Sequence, residues 1–142
     1  MIKAMKFVGV PVSDQQRALD FYTSKLGFQV RTDARMDDFR WLTVSPPGQP
    51  EHELVLLEPG PPMMDEESAG HVRALIAKGV LGAGAFETND CRRSYAEFSE
   101  RGVNFPSGPT QRFYGIEATF RDNSGNWFSM TQRSEVASPA SA

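Results

Sequence analysis

The chain has 142 residues, 39% hydrophobic and 23% charged, enough for one packed core within the size of a single domain. Its formal net charge of −3 offers no basic field to a nucleic-acid backbone or an anionic membrane surface, so neither is expected as a partner. A lone cysteine, Cys91, excludes an internal disulfide and any zinc site built from several thiolates.

The first predicted strand is marked by Val8, Val10 and Val12 alternating with Phe7, Gly9 and Pro11. The period then changes from two to that of a helix. Ser13 with Gln16 three residues on fits a capping box, Ala18, Phe21, Tyr22 and Leu26 form a stripe, and Gly27 ends the helix. Three extended segments follow, "FQVRTD", "RWLTVS" and "ELVLLEP", with the turn-rich "SPPGQPEH" before the last. "GPPMMDEESAGHVRALIAKG" reads as a Pro-rich loop and a short linking helix.

A second copy of this order follows, displaced by 76 positions, which sets Asp14 on Asp90 and Arg17 on Arg93. Cys91, Tyr95 and Phe98 form the helical stripe, Gly102 stops it, and "GIEATFRD" and "NWFSMTQ" are further strands joined by a turn at "DNSG". The expected organisation is one domain over residues 1–135, with modules at 2–60 and 80–133, and a flexible tail over 136–142. Each module of about sixty residues needs a neighbour to bury its face.

"VPVSDQQRALDFYTSKLGF", then "FETNDCRRSYAEFSERGV" followed by "FRDNSGNWFSMTQ", resemble the vicinal oxygen chelate superfamily. This family includes glyoxalase I, extradiol dioxygenases, and fosfomycin- and bleomycin-resistance proteins. The resemblance covers roughly residues 2–133 and implies an α+β fold of two βαβββ modules, each a half-barrel cup. "DNSGN" departs from the family's usual Asp-Pro-Asp-Gly-Asn turn at Asn123 and Ser124.

In metal-using members, four strand residues of the cups converge on one divalent ion. Carried over by motif, these positions are Phe7, Val55, Ala83 and Ser129. The first three have no side-chain lone pair, and a neutral serine alone is a poor ligand, so neither a metal nor another cofactor is expected. His52 and His71 read as solvated loop and helix residues, and Cys91 as a buried or half-buried thiol.

Strand parity adds Gly9, Leu57, Trp127 and Thr131 to the cleft side, and the resemblance adds Glu117 and Thr119. Glu117 either meets a ligand or acts as a base, or closes an internal ion pair with Arg40, Arg112 or Arg121. Trp41 and Phe113 are expected at the lips of the pocket, whereas Phe39 and Tyr114 read as core or interface. Met63 and Met64 are a cover or an interface contact.

The expected ligand-binding set is therefore Phe7, Trp41, Val55, Ala83, Phe113, Glu117, Thr119 and Ser129, with no catalytic residue assigned. The leading expectation is a metal-independent protein of the bleomycin-resistance type, holding a small organic molecule such as an antibiotic, and homodimeric. The alternatives are a metal-free lyase, isomerase or dioxygenase-like enzyme using Glu117, and a module whose cleft is vestigial. Apolar runs such as "ELVLL" are too short to span a bilayer, and the N-terminus lacks a secretory pattern, so a cytoplasmic location is expected.

Overall fold

In the computed structural model, which describes residues 1–134, the alternating stretch "FVGVP" forms β1 (Phe7–Pro11). Helix α1 (Gln15–Asp20) runs on into a π-helical turn at Phe21–Lys25. Its cap is Asp14, whose Oδ1 accepts from the Arg17 N–H at 2.8 Å. Ser13, the expected cap, instead donates its backbone N–H to Ser124 Oγ at 3.0 Å. The reason is the extended backbone of Asp14, φ −153° and ψ 118°, which brings its carboxylate over the first turn. Gly27 leaves the helix at φ 76°, a left-handed conformation that suits glycine.

The first module is completed by β2 (Gln29–Met36), β3 (Phe39–Ser45) and β4 (Glu53–Leu57), in a sheet of order β1-β4-β3-β2. The linking helix, α2 (Glu66–Lys78), leads to β5 (Gly82–Glu87), α3 (Cys91–Glu100), β6 (Asn104–Arg112), β7 (Gly115–Arg121) and β8 (Trp127–Arg133). The second sheet repeats the topology as β5-β8-β7-β6, and Asp90 caps α3 by accepting from the Arg93 N–H at 3.0 Å. Both parallel pairs, β1 with β4 and β5 with β8, enclose a βαβββ unit.

The helix-side faces of the two sheets share one core. Val10, Leu42, Val44 and Leu56 from the first module lie in the same cluster as Ala118, Phe120, Phe128 and Met130 from the second. Tyr22 links them, its ring centroid 6.4 Å from that of Phe128. Each of the larger side chains among them, almost wholly removed from water, contributes about 1.5–3 kcal/mol. With the convex faces joined, the two concave faces look away from each other.

Polar contacts lock the modules where the 122–126 turn meets β1. Tyr22 donates its hydroxyl to Asp122 Oδ2 at 2.7 Å, and Asn126 Nδ2 donates to Pro11 O at 2.7 Å. Gly125 is required there: at φ 115° any Cβ would run into the Ile76 carbonyl. No helix of the described residues is long and apolar enough to cross a membrane. The expected tail at 136–142 lies outside the described residues.

Candidate functional site

Register decides which side chains share the concave face of the first sheet. Gly9 pairs with Val55, and Val55 with Thr43, while one step away Phe7 pairs with Glu53 and Trp41 follows Thr43 by strand parity. Phe7 and Trp41 meet edge to face, with centroids 5.7 Å apart and ring planes at 74°. Phe7 keeps 44% of its surface exposed, whereas Val55 and Thr43 are buried. Glu53 is tied down beside them, accepting from Thr43 Oγ1 at 2.6 Å and pairing with Lys6 Nζ at 2.9 Å. Those two partners, Thr43 first, hold its carboxyl below the ordinary glutamate range.

The second concave face has the same ladder with different chemistry. Ala85, Ser129, Thr119 and Ser107 lie across it in register, and the next step carries Glu87, Thr131, Glu117 and Thr110. Glu117 sits at the centre of a hydroxyl network. Ser129 Oγ donates to its Oε2 at 2.6 Å, Tyr114 Oη donates to its Oε1 at 2.6 Å, and Thr131 Oγ1 lies 3.2 Å from Ser129 Oγ. These bonds, that from Ser129 foremost, hold the Glu117 carboxyl below its ordinary range and keep it charged at neutral pH. With both oxygens already accepting, it is a weak proton acceptor and a strong organiser of the hydroxyls around it.

Phe7, Trp41 and Val55 thus form one surface, and Glu117, Thr119 and Ser129 a second, with the shared core between them. Ala83 joins neither. A bulge between Gly82 and Gly84 moves it off the register, so that Ala85 stands opposite Ser129 and Ala83 packs against the core. Phe113 projects from the β6–β7 turn with 86% of its surface exposed, its ring edge-on to Tyr114 at 5.0 Å. Tyr114, expected in a core or interface, completes the Glu117 network. An i,i+3 spacing across a tight hairpin was the only trace of this in the sequence. Among the described residues no arginine forms an ion pair with Glu117: Arg40 is bound to Asp33 at 2.8 Å, and Arg112 adds only the weakest pull on the carboxylate.

Cys91 is wholly buried, its thiol 3.6 Å from Met130 O, and burial pushes its pKa up, which makes it a structural residue. His71 is exposed on α2, and His52 lies 3.4 Å from Met5 O.

The family model described as the glyoxalase/bleomycin resistance protein/dioxygenase superfamily matches residues 4–130. The chain belongs to this superfamily. Among solved structures, UcmS2 is 48% identical, with a TM-score of 0.87 over 92% of this chain and 98% of that one. TnmS3, an antibiotic binding protein from Streptomyces sp. CB03234, is 33% identical, with a TM-score of 0.75 over 94% and 98%. The protein YurT of Bacillus subtilis (strain 168) is 34% identical over 122 residues, 86% of this chain and 93% of its own.

At the four positions that the family resemblance led one to expect as metal ligands, the side chains do not suit an ion. Phe7 and Val55 offer carbon, Ala83 is turned into the core, and the Ser129 hydroxyl is committed to Glu117. Among the described residues no three His, Cys, Asp or Glu side chains are grouped so as to hold a metal.

Proposed function

We propose that this chain binds a small organic molecule without a metal, and that two copies complete each binding cleft. In this reading the apolar surface of one copy, with Phe7, Trp41 and Val55, faces the hydroxyl surface of the other, with Thr119, Ser129 and Glu117. The observation that carries the reading is the pairing of an exposed Phe7–Trp41 platform with a metal position that has lost its donors. Such surfaces hold a ligand by buried area and a few hydrogen bonds rather than by coordination. The likeness to TnmS3, an antibiotic binding protein, supports an antibiotic-like ligand and a part in antibiotic resistance.

Phe113 belongs to the same site as a lip at its mouth, where its exposed ring is free to close over a bound molecule. The whole acts as one domain, with no nucleic acid or membrane as partner, in keeping with its negative charge. A cytoplasmic location suits the buried, unpaired Cys91. Binding alone accounts for Glu117, which orients Ser129 and Tyr114 and need not move a proton.

A thermal-shift screen of aromatic antibiotics and oxo-acids, with and without divalent ions, tests this function. A ligand of the folded state raises the melting temperature by mass action. The expected result is stabilisation by an aromatic compound that is independent of the ion and is lost in Trp41→Ala. Stabilisation only by an ion with its oxo-acid would overturn the reading.

A further inference from the structure

The two modules are joined unequally, and the inequality leaves a second cavity. The connection between β7 and β8 closes tightly on the first module, through Ser13, Tyr22 and Pro11. Its counterpart between β3 and β4, over 46–52, carries three prolines and hydrogen-bonds only within its own module among the described residues. Ser45 Oγ donates to His52 O at 2.8 Å, and the His52 N–H to Gln49 O at 3.2 Å. The loop therefore stands off from the second module, and a groove of about 640 Å³ lies between them.

The chemistry of the groove is one-sided. Phe28, Phe86, Phe98, Phe120 and Met130 line it from the core, and Phe28 and Phe86 meet edge to face at 5.4 Å. Glu51 on the loop adds a carboxylate, and no lysine, arginine or histidine lines the groove. Among the described residues Glu51 has no ion-pair partner. Thr88 Oγ1 and Ser94 Oγ, 2.8 Å apart, add a polar step beside the rings. The volume lies in the range of small-molecule sites, roughly 300–1,000 Å³.

We propose that this groove is a second small-molecule site, which takes a planar aromatic amine that is cationic at neutral pH. The ring system lies on the phenylalanine floor, where edge and face contacts favour aromatic surface. The cationic end faces Glu51, whose unneutralised charge attracts a cation and repels an anion. This site is built within one chain, so it neither rests on the concave-face reading nor requires a second copy.

The test uses the full chain and 9-aminoacridine as a fluorescent probe, with acridine-9-carboxylate as its anionic counterpart. Saturable binding of the amine is expected, and the carboxylate should bind at least about tenfold more weakly. Glu51→Gln, on an exposed loop where the fold is kept, should weaken the amine by about tenfold, while Glu100→Gln, an exposed acid outside the groove, leaves it unchanged. Absence of saturable binding up to about 1 mM overturns the proposal. So does equal affinity of the parent chain and Glu51→Gln, or equal affinity for amine and carboxylate.

Discussion

Ser129 donates to Glu117 at 2.6 Å from the place in β8 that Val55 holds in β4. In each module this residue stands opposite a threonine, Thr119 in the second and Thr43 in the first. The backbone ladders are equivalent, while the chemistry of the steps has diverged. One face is apolar with an aromatic platform, and the other is a web of hydroxyls held by a carboxylate. A ligand between two such faces gains area on one side and orientation on the other.

Glu117→Gln keeps the shape of the network and removes its charge. The amide has one accepting oxygen, so only one of Ser129 and Tyr114 still donates to it, now to a neutral group at a loss of about 1 kcal/mol, and the other hydroxyl must turn to accept from the amide N–H. The pH dependence follows from the lowered carboxyl pKa. The stabilisation is fully present above the unfolded-state value of about 4.3 and is lost as pH falls through the folded value. Urea unfolding between neutral pH and pH 3 should show the parent losing more stability than the variant. Parallel curves would remove the network from the stability of the fold.

Tyr22→Phe should destabilise the chain by about 1–3 kcal/mol, because it removes a buried hydroxyl bond to Asp122 and leaves a carboxylate oxygen with one partner fewer. Burial, then the charge of Asp122, pushes the Tyr22 pKa well up, so the hydroxyl stays protonated and the bond survives at alkaline pH. Chemical denaturation of the two proteins at pH 7 and pH 9 should give the same difference at both values.

Dialysed protein should carry no stoichiometric transition metal, and added nickel, zinc or manganese should leave its melting temperature unchanged. The expectation rests on the side chains at the metal positions, namely Phe7, Val55, Ala83 and Ser129. Elemental analysis with one ion per chain, lost in Ser129→Ala, is the result that would sink it.

Sedimentation should give twice the chain mass of 15.8 kDa. The motive is the pair of outward-looking concave faces, together with Phe7, Met36 and Trp127, whose large apolar side chains stay exposed in one copy. Phe7→Glu should shift the equilibrium toward the single chain, since a charge has no partner on an apolar face. A concentration-independent monomer in the parent protein would refute the expected assembly.

Much of the architecture is legible along the chain because its causes are local. A period of two announces β1, and a stripe at helical spacing ending at Gly27 announces α1. The 76-residue displacement that sets Asp14 on Asp90 is upheld by two equivalent helix caps. One strand was poorly marked: β6, "NFPSGPTQR", contains two prolines and is tolerated because it lies at the sheet edge, with register shifts along it.

What residue order alone determined was the sequence of elements, the alternation of faces and the absence of donors at Phe7 and Val55, since each follows from a side chain and its near neighbours. Tertiary structure decided the rest. That the convex faces pack together, so that Trp41 and Ser129 line different surfaces, depends on burial between segments distant in sequence. The bulge that hides Ala83 and aligns Ala85 with Ser129 is a matter of hydrogen-bond register between β5 and β8, which period-two patterning does not encode. The hairpin that carries Tyr114 back to Glu117, and the stand-off of the 46–52 loop, have the same physical origin. Each is fixed by which partner a segment meets in space, and only the folded chain supplies that partner.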